Sequence, residues 1–241
     1  MIIGISGKKQ SGKSTSGNFI YSLMMVESGV SSKAWINWKG QIEISDLCGD
    51  ANYKGVFDPC SRSTTDWNIQ KAFQILDPVI KIYNFADILK QNICMDILGM
   101  TYNQCYGSDE DKNELTDLEW DGKKLTARDA MQLIGTDLFR KLKTNVWAEA
   151  TLKKIDKEKP HIAIITDCRF PNEVDAIKQY NGVVIRLTRK YDNSEHMSEI
   201  ILDKNRYDWQ NFNHIIENDN MSIYDQCVEL QNILKLYLGN K

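Results

Sequence analysis

Apolar residues along this chain follow two periods. MIIGIS (residues 1–6), VIKIYNF (79–85), HIAIITD (161–167), VVIRLTR (183–189) and HIIEN (214–218) are short, nearly unbroken apolar runs of the kind a strand buried on both faces shows. Between them the spacing widens to three and four. Residues 13–26 carry Phe19, Ile20, Leu23 and Met24 on one stripe, with Gly29 as a stop. Residues 86–98 predict a helix ending at Gly99, and 126–143 a longer one. The latter opens on Thr126 with Asp129 three places on, and buries Ala130, Leu133, Ile134 and Leu138. Further helices are predicted over 146–156, over 171–180 with proline at the start and Gly182 past the end, and over 222–238. WINWKGQIEI (35–44) predicts a hairpin about Lys39-Gly40, the acidic stretch 108–121 a solvated loop or surface helix, and 190–212 an irregular polar segment.

Strand–helix alternation at both ends of the chain implies right-handed βαβ units, a parallel sheet with helices on both faces. The sequence between the first helix and residue 161 is too long for a simple crossover, so it predicts an inserted, largely helical region. The expected organisation is one domain over 1–241, with a core at about 1–30, 79–85 and 160–241 and the insertion at about 31–158.

Composition excludes more than it identifies. A formal net charge of −3 gives no reason to expect a nucleic-acid polymer or an anionic membrane as partner. Six cysteines form no CxxC pair and no zinc-like spacing, which predicts reduced thiols in a cytoplasmic protein. The chain starts on an apolar strand rather than on a signal peptide, and no apolar run is long enough to span a bilayer.

The chemistry begins at Gly7-Lys8-Lys9-Gln10-Ser11-Gly12-Lys13-Ser14, a complete GxxxxGK[ST] between a strand and a helix, the context of a P-loop NTPase. Gly7 and Gly12 let the backbone turn its N–H groups, Ser11 and Thr15 among the flanking positions, onto phosphate oxygens. Lys13 reaches the terminal phosphates of ATP, and the Ser14 hydroxyl is a ligand for Mg²⁺. HIAIITD ends in Asp167, at the strand end where ligands bind, so Asp167 either holds the metal through water or caps a turn. Cys168 follows rather than a second acid that would orient water, and then Arg169, which suits phosphoryl transfer rather than hydrolysis. An acceptor phosphate needs charge neutralisation and alignment rather than a base, so cations from several segments should converge: Lys13, Arg128, Arg140, Arg169, Arg189 and Arg206 are candidates.

Four segments carry a family likeness: GISGKKQSGKST (4–15), FADILK (85–90), ARDAMQLIGTDLFR (127–140) with Trp147, and TDCRFPNEVDAI (166–177) running through VVIRLTR to SEHMSE (194–199). In that order the chain resembles the bacteriophage deoxynucleoside monophosphate kinases. The resemblance implies transfer from ATP, with Mg²⁺, to a dNMP. It implies a lid at about 190–212, Arg189 and Arg206 near the ATP phosphates, and Asn218 near the adenine. It places the acceptor against Asp87, Lys90, Arg128, Gln132, Asp137, Arg140, Arg169 and Trp147, the last with core packing as the competing reading. Glu173 either orients Arg169 or is a first-turn acid, and a homodimer is compatible with the family. A kinase of dephospho-coenzyme A or of a nucleoside, with Asp87 as base, is the alternative, and a P-loop ATPase or switch protein a more distant one.

Overall fold

A computed structural model describes residues 1–61, 65–189 and 197–239. Along the chain run β1 (Ile2–Ser6), α1 (Lys13–Glu27), β2 (Ala34–Ile36), β3 (Ile42–Ile44), β4 (Gly55–Phe57), α2 (Trp67–Leu76) and β5 (Ile80–Tyr83). A π-helical turn, Leu89–Met95, is followed by α3 (Tyr102–Tyr106), α4 (Asp109–Asn113), β6 (Leu115–Trp120), β7 (Lys123–Thr126) and α5 (Ala127–Gln132). That helix passes through a second π-helical stretch, Leu133–Phe139, into α6 (Arg140–Leu142). Then come α7 (Val146–Glu158), β8 (Ile162–Cys168), α8 (Pro171–Gln179), β9 (Val183–Leu187), α9 (Met197–Ile200), a 3₁₀ turn Trp209–Asn211, β10 (His214–Ile216) and α10 (Ile223–Leu238).

The residues divide into two compact units, one of 1–83 and 155–241, the other of 84–154. The first is built on a five-stranded parallel sheet in the order β10-β9-β1-β8-β5. All five residues of β1 and of β9 are buried, which is why these strands read as apolar throughout. Helix α1 lies close on β8: a Cβ at Gly17 would stand 2.6 Å from the Thr166 methyl. Ile3, Ile5, Ile20, Ile164 and Ile185 form the centre of this core. Because every strand is parallel, the chain leaves β1, β8, β9 and β10 at the same sheet edge, and the phosphate loop, residues 167–169, 188–189 and 217–219 emerge there.

Two expectations need correction. Residues 31–78, assigned from sequence to the insertion, fold with the sheet unit. There β2, β3 and β4 make a small antiparallel sheet, with the hairpin at Lys39-Gly40 closed by Asn37 Oδ1 accepting from the N–H groups of Lys39 (2.9 Å) and Gln41 (3.1 Å). Buried Ile42, Ile44 and Phe57 give it an apolar face, and Tyr21 of α1 stacks on Phe57. The insertion is therefore the shorter unit 84–154. Within it, 108–121 is a one-turn helix plus a strand, since β6 pairs with β7 across Asp121-Gly122, both at positive φ. Alternation was hidden there by charged side chains on both faces of an exposed ribbon.

Among the described residues no helix is long and apolar enough to cross a membrane. None of the six cysteines is in a disulfide; Cys94, Cys105, Cys168 and Cys227 are buried, Cys60 is exposed, and burial pushes the Cys94 thiol up to about 12.

Candidate active site

The sheet edge of the first unit holds the phosphate loop. Gly12, at φ +98°, precedes the first turn of α1, a conformation open to glycine at little energetic cost. Lys13 is 8% exposed, and its ammonium donates to the carbonyls of Gly7 (2.8 Å) and Lys8 (2.5 Å). Burial, with the neighbouring Arg169 guanidinium adding to it, draws the Lys13 ammonium down to about 7, while Glu199 and Asp167 act in the opposite direction. Asp167, Arg169, Arg186 and Glu199 are thus each within electrostatic reach of Lys13. Ser14 is exposed on the first turn and Asp167 half-buried at the end of β8, two hard oxygen donors of the kind Mg²⁺ takes.

Arg169 is held at both ends. Glu173, buried in the first turn of α8, accepts the backbone N–H groups of Arg169 (2.7 Å) and Phe170 (3.1 Å). Its carboxylate fastens the main chain at Arg169, in line with the orienting role that the sequence offered for Glu173. The Arg169 guanidinium donates to Glu199, whose other oxygen accepts the Lys9 N–H of the phosphate loop at 2.6 Å. Lys8 reaches Asp203 at 2.9 Å. Neither acid carried a role in the sequence reading, although Glu199 closes the SEHMSE segment.

Asn218 and Arg189 also stand elsewhere than the likeness implies. Asn218 is fully buried, and its amide donates to the Ser11 carbonyl (2.8 Å) and to Gln226 Oε1 (2.6 Å). Gln226 in turn donates to Gly12 O (3.2 Å) and Ser16 Oγ (2.9 Å). Arg189 spends its guanidinium on the carbonyls of Asn218 (3.0 Å) and Met221 (2.5 Å). The turn after β10 leaves carbonyls without strand partners, and these side chains satisfy them. The group braces the phosphate loop from behind rather than touching adenine. Asn218→Ala should therefore lower stability by about 1–3 kcal/mol, since the Ser11 carbonyl, Gln226 Oε1 and the Arg189 N–H each lose this buried partner. Urea unfolding of the variant checks this, and an unchanged midpoint would show the brace carries no strength.

Arg186 escaped notice inside VVIRLTR, although a charge in the middle of a buried strand was itself a signal. It is 4% exposed, donates to Ser6 Oγ (3.0 Å), and lies under the rings of Trp209 (5.5 Å) and Phe212 (5.7 Å). Arg206 is exposed, on the turn that follows Asp203. Of the expected lid, 197–212 is docked by these contacts, whereas 190–196 lie outside the described residues.

The second unit gathers the residues matched to the acceptor. FADILK and ARDAMQLIGTDLFR meet where a Cβ at Gly135 would come within 2.7 Å of Leu89. Asp87 accepts from the Asn84 N–H (3.1 Å) and from the Tyr106 hydroxyl (3.1 Å), and the Lys90 ammonium sits over the Tyr106 ring at 4.5 Å. Arg128 is engaged by Asp109 (2.8 Å) and Asn113 (3.0 Å). Gln132 and Asp137 are exposed, and Arg140 is half-buried. Trp147 is 5% exposed, tilted against Phe139, with its indole N–H donated to the Gly135 carbonyl at 2.9 Å. These contacts are those of core packing, the competing reading for Trp147.

Comparison with known proteins points one way. A family model described as deoxynucleotide monophosphate kinase matches residues 55–226, a stretch that begins after the phosphate loop. Over 133 residues the chain is 32% identical to a putative deoxynucleotide monophosphate kinase of Acanthamoeba polyphaga mimivirus, covering 49% of this chain and 67% of that protein. Over 58 residues it is 38% identical to the deoxynucleoside-5'-monophosphate kinase of Escherichia phage T5, covering 24% of this chain and 23% of that one.

Proposed function

The chain belongs to the deoxynucleotide monophosphate kinase family, and from that premise we propose that it transfers the γ-phosphoryl of ATP to a deoxynucleoside 5'-monophosphate, giving dNDP and ADP. The observation that carries this reading is a buried lysine in a complete phosphate loop, in electrostatic reach of Asp167 and Arg169 at one sheet edge.

The acceptor phosphate oxygen is already an anion. It forms the new bond to the γ-phosphorus as the bond from that phosphorus to the ADP oxygen breaks, so no proton has to be removed. The protein's work is to neutralise charge and fix the line of attack. Lys13 and the loop N–H groups hold the ATP phosphates, with the positive end of α1 behind them. Ser14 and Asp167 would hold Mg²⁺, which when bound shields the charge shared between the phosphates. Arg169 grips the acceptor phosphate. By the family likeness, Asp87, Lys90, Arg128, Gln132, Asp137 and Arg140 are the groups proposed for the acceptor nucleotide, and a lid at about 190–212 is proposed for the donor.

A coupled assay of ADP release tests this with each dNMP, each NMP, a nucleoside panel and dephospho-coenzyme A. Turnover is expected with one or more dNMPs, matched by an equal yield of dNDP. Rapid ATP hydrolysis without an acceptor, or turnover confined to nucleosides, would replace this reading by a switch ATPase or a nucleoside kinase.

A further inference from the structure

We propose that Glu199 is a positioning residue that ties Arg169 to the phosphate loop, so that a single carboxylate sets the distance between the donor cradle and the arginine that meets the acceptor. The inference rests on the role proposed for Arg169.

The carboxylate is used at both oxygens. One accepts the Lys9 N–H at 2.6 Å and the other the Arg169 guanidinium, and the side chain is only 10% exposed. Charge-assisted bonds of this kind are short and directional, and the guanidinium plane follows the oxygen it serves. Glu173 already fixes the Arg169 backbone. What Glu199 adds is the orientation of the guanidinium itself.

The segment that carries Glu199 is anchored at several points. Asp203, four residues on, holds Lys8 at 2.9 Å. Leu202 is buried, and its carbonyl accepts the Trp209 indole N–H at 2.9 Å. Trp209 and Phe212 cover Arg186, which is bonded to Ser6 at the end of β1. A carboxylate merely resting on the loop until phosphate displaced it would not need this root. A free arginine side chain has considerable rotamer freedom, and pinning it before substrate arrives removes that entropy from the barrier.

The test is a double-mutant cycle on the full chain with Glu199→Gln, Arg169→Ala and both together. Steady-state kinetics with dNMP and calorimetric titration of ATP are measured for each. Glu199→Gln should lower kcat/KM for the dNMP roughly 10- to 100-fold, the size seen when outer hydrogen-bond partners of functional groups are lost, with the ATP Kd within about threefold. In the Arg169→Ala background the same change should have little further effect, because its target is gone. If Glu199→Gln fails to fold, Glu199→Asp keeps the charge, shortens the reach and should show the same pattern at smaller size. Losses that multiply in the double variant overturn the proposal, as does full activity of Glu199→Gln. Tighter ATP binding by Glu199→Gln also overturns it, and marks the carboxylate as an internal anion occupying a phosphate seat. An active Arg169→Ala single variant would instead bring down the role of Arg169 on which the proposal stands.

Discussion

Lys13→Ala is expected to lower kcat for dNMP phosphorylation by on the order of 10²- to 10³-fold, while the protein melts no earlier than the wild type at pH 7. The kinetic loss follows from position. The ammonium sits at the head of α1 where loop N–H groups converge, and a methyl group there leaves the charge that develops in transfer without its cation. The stability statement follows from sign. Folding draws the Lys13 ammonium from its ordinary value of 10.5 to about 7, so the unfolded chain binds the additional proton between those values. Stability therefore rises with pH across that window, and the penalty is fully present below it. Lys13→Ala should abolish this part of the rise. Melting curves at intervals from pH 6 to 10, with turnover measured on the same samples, check both. Near-normal turnover in the folded variant would remove Lys13 from the mechanism.

Arg169→Lys conserves charge and should still lose most of the activity toward the acceptor, on the order of 10²-fold in kcat/KM. A guanidinium can serve Glu199 with one edge and a phosphate with another, holding two oxygens in one plane. An ammonium on a flexible stem cannot do both in a fixed direction. ATP binding measured alone should change by less than threefold, because Lys13 and the loop backbone carry the donor phosphates. If ATP binding collapses while the dNMP KM holds, Arg169 belongs to the donor side of the crevice.

The sheet was legible because its signals are local. The three central parallel strands are buried on both faces, so MIIGIS, HIAIITD and VVIRLTR announce themselves as apolar runs, and the phosphate loop follows the first of them. The groups that fasten the loop were not legible, because nothing in sequence joins them. Glu199 meets Lys9 across 190 positions, and Asn218 meets Ser11 across 207. Asn218 was assigned to adenine from its place after the last strand, and its burial turns on a carbonyl that no pattern exposes. Residues 108–121 were legible only in part: Asp109–Asn113 is the surface helix expected, whereas the alternation Asp117-Leu118-Glu119-Trp120 in β6 is too short within an acidic stretch to mark a strand. Trp147 illustrates the ordinary fate of a large aromatic, with its one polar atom satisfied internally.

The π-helical stretch Leu133–Phe139 makes the second unit tolerant of a change in the count of its residues at that one place. A π turn is an α-helix carrying one residue in excess, a form that proteins seldom keep without use. Excising any one residue there would let the helix relax into ordinary hydrogen bonding and gain regularity. Every side chain downstream, Arg140 among them, would keep nearly its present direction, because the excess residue is taken up within the π turn itself. Removing a residue from the regular turns of α5 would instead swing Arg140 by about 100° around the axis, so single-residue gaps that keep the cation aimed are confined to the π stretch.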